Sequence, residues 1–179
     1  MSETEVNKGK IVSIIIIIIL VLAAAGAAIF ILRPGYISVD SAVEGYYNAI
    51  STENASKYKH SCYTSKWEKN YLSGANTTEL DTTVSSAFSM QSGASYSDVS
   101  VISTEDLGDN YVAIINESIQ RIYGTDVKVT KLYRVNFTMQ STYNGTKTNT
   151  GTLTRYCYKS GGKWFFLADV GVIVDTGLE

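Results

Sequence analysis

The chain has 179 residues, 15 Lys/Arg against 17 Asp/Glu, one histidine, one proline and two cysteines. A formal net charge of −2 offers no basic face for phosphate backbones, so nucleic acid is excluded as an expected partner. His60 has no cysteine or histidine at ligand spacing, which leaves no metal motif and no Ser-His-Asp arrangement; no cofactor is expected.

In chain order, a polar tail over residues 1–10 precedes the apolar run Ile11–Leu32. Its length of about 22 uncharged residues suffices, at ~1.5 Å per residue, to cross a ~30 Å hydrocarbon core. The run is apolar all round, as lipid requires, so residues 11–33 are expected to form a transmembrane anchor. A cleaved signal peptide would carry a shorter apolar region followed by its small-x-small site, whereas Ala25-Gly26-Ala27 lies inside the run. Cys62 is too far downstream for a lipoprotein site. Lys8 and Lys10 precede the run and Arg33 alone follows closely, so the positive-inside rule places the N-terminus in the cytoplasm. The expectation is a single-pass cell-membrane protein with its C-terminal domain outside.

Residues 38–175 read as one domain. Ser41 to Glu44 has capping-box form, followed by Val43, Tyr46, Tyr47 and Ile50 on one helical stripe. Asn54 can cap a second helix turning Ala55, Tyr58 and Cys62 inward, and Ser65 to Glu68 opens a third with Trp67 and Tyr71. Asn76 and Glu79 start a fourth with Leu80, Val84 and Phe88, ending near Gly93. Beyond Gly93 the period changes to 2. Strands are expected near Ser95–Thr104, over Tyr111–Tyr123 with Tyr111, Ala113, Ile115, Ile119 and Tyr123 on one face, and over Val127–Tyr143. Asn144-Gly145 is a hairpin signal leading into a strand Thr146–Lys159. Ser160-Gly161-Gly162 then turns into Lys163–Val174. Helices followed by a meander define an α+β class, with helices packed on a curved antiparallel sheet. Asn116 and Asn136, both in glycosylation sequons, fall mid-strand on this reading.

Cys62 and Cys157 both fall in the domain expected outside, where disulfides persist. A bond between them and two separate buried thiols are equally open readings.

The hairpin Tyr158-Lys159-Ser160-Gly161-Gly162-Lys163-Trp164-Phe165-Phe166-Leu167, with the opening pair Val43–Ile50 and Asn54–Tyr58, resembles the nuclear-transport-factor-2-like cone fold. Small bacterial membrane-anchored members commonly close with such a hairpin. The resemblance covers roughly Val39 to Val174 and implies a cone whose open end holds a small ligand or a partner peptide. Cone-fold enzymes resembling ketosteroid isomerase use an Asp base with a Tyr, and Asp169 with Tyr133 and Tyr156 is the set this chain offers for such chemistry.

Period 2 also places Glu117 and Arg121 on the face of Ile115 and Ile119. Charges lining a cavity would fix a polar ligand group, whereas strand ends beyond the core would leave them solvated. The candidate ligand-binding residues are therefore Glu117, Arg121, Tyr133, Tyr156 and Asp169, with no catalytic residue assigned. The expected function is a non-catalytic, membrane-tethered extracytoplasmic domain that binds a protein partner or small ligand. The alternatives are an assembly subunit of an envelope-spanning secretion or conjugation system and a ketosteroid-isomerase-like enzyme.

Overall fold

The computed structural model describes residues 16, 18–24, 27–28, 30, 32–71 and 79–178. Part of the expected anchor, including Ile11 to Ser13 and Ala25-Gly26, lies outside the described residues, as does Asn76. Among the described residues no helix is long and apolar enough to cross a membrane. Residues 1–33 and 34–179 form two separate units, and the second carries the fold described below.

Its elements run α1 Val39–Ser51, α2 Ala55–Cys62, α3 Ser65–Asn70, α4 Leu80–Met90, β1 Ala94–Asp106 and α5 Gly108–Tyr123. There follow β2 Val129–Tyr143, β3 Thr146–Asn149, β4 Leu153–Ser160, β5 Lys163–Phe166 and α6 Val170–Asp175. Side-chain caps set the helix starts. Ser38 accepts the Ser41 N–H, so α1 begins earlier than the Ser41–Glu44 box implies. Asn54 accepts from Lys57 and Thr64 from Trp67, each satisfying an orphan donor of the first turn. The α1 stripe is as expected, with Val43, Tyr47 and Ile50 buried and Tyr46 half-buried. In α2, Tyr58 and Cys62 turn inward, but Ala55 is exposed.

The sheet is wholly antiparallel, ordered β1-β2-β4-β5, with β3 also on β2. Register shifts between Ser97 and Ser100, Val101 and Ser103, and Val129 and Lys131 bend the strands and increase their twist. The result is a strongly curled half-barrel with helices packed on it, consistent with a cone-like fold. Asn144 and Gly145, at φ 49° and 78°, make the mirror-image turn that matches the twist of the β2–β3 hairpin. Tyr36 closes the β5 edge, exchanging backbone hydrogen bonds with Trp164 at 2.9 and 2.7 Å.

Three sequence expectations need correction. Tyr111–Tyr123 is not a strand but the body of helix α5. Val112, Ile115, Ile119, Ile122 and Tyr123 recur at helical spacing, and Gly124 at φ 63° ends the helix in the left-handed conformation that a glycine adopts without steric cost. Asn116 is thus helical, and its amide bonds the Val129 backbone at 2.8 and 3.0 Å, tying α5 to the start of β2. The long return strand breaks at Thr150–Thr152 into β3 and β4. The last strand stops at Phe166, and Val170–Asp175 is helix α6, capped by Asp169.

The core has two clusters. Cys157, Trp164 and Phe166 pack with Val39, Ala42, Val43 and Tyr47 of α1, and Tyr46 stacks on Phe166 at 3.9 Å between ring centroids. Tyr156, Tyr158, Phe165 and Leu167 join Tyr58, Trp67, Ile115, Ile119 and Tyr123. Since neighbouring strand residues point to opposite faces, β5 and the adjoining part of β4 are covered on both sides.

Candidate functional site

A cavity of 580 Å³ opens among the helices, beside the segment that leaves β5. Tyr46 comes from α1, Tyr58 from α2, Tyr63 and Tyr71 flank α3, and Tyr123 ends α5. Local capping brings them together: Asn54 orients α2 so that Tyr58 faces in, and Thr64 restarts the chain at once, so Tyr63 and Trp67 follow on the same side. Tyr71 lies 4.9 Å from Tyr123 and 5.6 Å from Tyr63, and Tyr46 lies 5.5 Å from Tyr58, all between ring centroids. The rings supply area and the phenols supply polar tips. Burial pushes the Tyr46, Tyr58 and Tyr63 hydroxyls well above their ordinary range, so all three are neutral donors at physiological pH.

Asp169 is the acid of this cavity. It is 6% exposed, accepts the Tyr123 hydroxyl at 2.5 Å, and caps α6 by accepting the Val172 N–H at 2.9 Å. Burial raises its carboxyl pKa, opposed by the hydrogen bonds from Tyr123 and from the backbone of Val172 and Gly171. Among the described residues no basic side chain lines the cavity.

The five sequence-predicted site residues do not converge. Asp169 lies in the cavity. Glu117 is exposed on the outer side of α5, because a helical turn rotates it away from Ile115 and Ile119. Arg121 is exposed too and pairs with Asp175 of α6. Tyr133 is half-buried on β2, with its ring 4.6 Å from Trp164. Tyr156 is buried on β4. In register, Tyr133 lies opposite Cys157 and Tyr156 opposite Arg134, which puts the two tyrosines on opposite faces of the sheet. The phenol beside Asp169 is that of Tyr123 and not that of Tyr133 or Tyr156.

Cys62 and Cys157 are unbonded and buried, in different core clusters, and burial raises both thiols well above their usual range. His60 is half-buried, edge-on to Tyr36 at 5.2 Å, and burial lowers its pKa. Among the described residues no group of three or more His, Cys, Asp or Glu gathers to hold a metal. A second concavity, 390 Å³, lies between α1 and the curled sheet, with Tyr47, Tyr96, Met139, Leu153 and Arg155 in its walls. Burial pushes the Tyr47 phenol up to about 12, with Arg155 acting the other way.

Fold and cavity define an α+β domain of helices on a curled antiparallel half-barrel, holding a tyrosine-walled pocket with one buried acid. Compared with protein-family models, with curated proteins and with solved structures, the chain matches none.

Proposed function

We propose that this chain is a membrane-tethered extracytoplasmic domain, of the nuclear-transport-factor-2-like cone kind, that holds a small organic ligand without turning it over. The observation that carries the reading is the 580 Å³ cavity with its five tyrosines and Asp169. Its size and its mixture of apolar wall with a few placed polar groups fit a small-molecule site. The tether rests on Ile11–Leu32 and on the lysines before it.

The test is a thermal-shift screen of small organic compounds on the full chain in a maltoside detergent, beside the pocket-filling variant Ala87→Phe. Ala87 lies on α4 and faces the cavity. The expected result is a set of compounds that stabilise the wild type, leave the variant unmoved, and are recovered chemically unchanged. Stabilisation that survives in Ala87→Phe would overturn the site. Protease added to intact cells is expected to remove the part beyond Pro34; its survival there with cleavage only after lysis would overturn the orientation.

One observation favours the assembly-subunit reading as a second choice. β1 spans 13 residues and stands at the edge of the sheet, an arrangement that can accept a strand from another protein. Cross-linking in membranes that returns only monomer would remove that reading.

A further inference from the structure

The charge balance of the tyrosine cavity narrows its ligand. Among the described residues Asp169 is the one carboxyl in the lining, and neither Lys, Arg nor His accompanies it. What opposes its burial is hydrogen bonding from Tyr123, Val172 and Gly171. Arg121, on the neighbouring α5, is exposed and pairs with Asp175 of α6. A buried carboxylate without a counter-charge is costly, and a cationic ligand would supply what the fold leaves out. Tyrosine rings add to this, because the negative face of an aromatic ring attracts a cation, most strongly where water is excluded.

We infer that the cavity binds a small organic ammonium ion, its charged nitrogen held between Asp169 and the tyrosine rings and its carbon skeleton against Ala87, Met90 and Ile122. This rests on the small-ligand reading above and deepens it. A bare metal ion does not fit, since one carboxylate with no further acidic or imidazole donors gives too few ligands. An anion is disfavoured by Asp169, and a neutral solute leaves that charge uncompensated. The cavity volume also suits a molecule rather than an ion.

Calorimetric titration of the full chain in a maltoside detergent tests the inference with choline, ethanolamine and 3,3-dimethylbutan-1-ol, the neutral carbon isostere of choline. Choline or ethanolamine is expected to bind at least about tenfold more tightly than the isostere. Tighter binding of choline would assign the rings the larger part, and tighter binding of ethanolamine the carboxylate; either result supports the inference. Asp169→Asn, near-isosteric and still able to cap α6, is expected to abolish the preference for charge. Should that variant fail to fold, Ser86→Lys serves instead: it places a cation on the exposed, cavity-lining side of α4 and is expected to weaken the ammonium ligands about tenfold and the isostere little. Adding phosphatidylcholine to the micelles distinguishes the sources, since competition with choline identifies a lipid headgroup and its absence a free solute. If the isostere binds as well as choline, or both variants keep the preference, the ammonium inference is overturned while pocket binding stands. If no compound binds in an Ala87-dependent way, both fall together.

Discussion

The two ends of the sheet are built on different terms. In β5 all four residues are buried, as are Tyr156 to Tyr158 of β4, because α1 covers one face and the α2, α3 and α5 helices the other. Along β1 half-buried residues are interspersed with exposed ones as far as Val101, and every residue beyond it to Asp106 is exposed, as is all of β3. The composition follows the burial. Trp164-Phe165-Phe166-Leu167 is the continuous apolar run of a strand wrapped on both sides, while β1 is largely Ser, Thr and Asp. Stability is therefore concentrated where the chain finishes its sheet, and the β1–β3 end is the more easily opened part.

The largest effect is expected from Phe165→Ala, which empties a site covered on both sides; urea unfolding followed by tryptophan fluorescence should show a loss of about 3–5 kcal/mol. A cost near that of a surface substitution would break the contrast. Gly45→Ala comes next. A Cβ there would run into the Tyr36 ring, so a loss of about 1–3 kcal/mol and faster amide exchange at Tyr36 and Trp164 are expected. Tyr158→Phe removes a buried hydroxyl that donates to the Cys62 carbonyl at 2.8 Å and should cost about 1–2 kcal/mol in the same unfolding assay. At the opposite end, Ile102→Thr alters a side chain 58% exposed on β1 and is expected to stay within about 0.5 kcal/mol.

The remaining prediction concerns the slope of stability with pH. Burial raises the folded-state pKa of Asp169 above its ordinary 3.8. A group raised in this way contributes stability that is complete below the unfolded value and is lost as pH rises through the folded one. Melting temperatures of wild type and Asp169→Asn, compared from below 3.8 to neutrality, should therefore diverge in favour of the variant as pH rises. Parallel curves would mean that hydrogen bonding from Tyr123 and α6 cancels the burial.

How far the fold was legible follows from where its signals are local. Asn54 caps α2 as its position implied, and Asn144-Gly145 turns as a hairpin pair; both depend on neighbours a few residues away. The sequence of α5 resembles a strand because Tyr, Val and Ile favour strands and because Ile115 and Ile119 satisfy period 2 and period 4 together. Glu117 and Arg121 carried the warning: two charges on an inward face argued against the period itself. In α6 the β-branched Val170, Val172, Ile173 and Val174 concealed a cap at Asp169. Of the cavity, Asp169 alone was legible as a candidate residue, since bringing Tyr71, Tyr123 and Asp169 together depends on how separate helices pack.

The bridge from Tyr36 to Trp164 has a mechanical meaning. Tyr36 stands three residues after Arg33, so tension travelling along the chain from its N-terminal part first meets the bond from the Gly35 N–H to the His60 carbonyl and the pair to Trp164. A single bridge yields at far lower force than a long ladder loaded in shear. Peeling it away leaves β1, β2, β4 and β5 joined but also draws the Tyr36 ring off the core cluster it packs against.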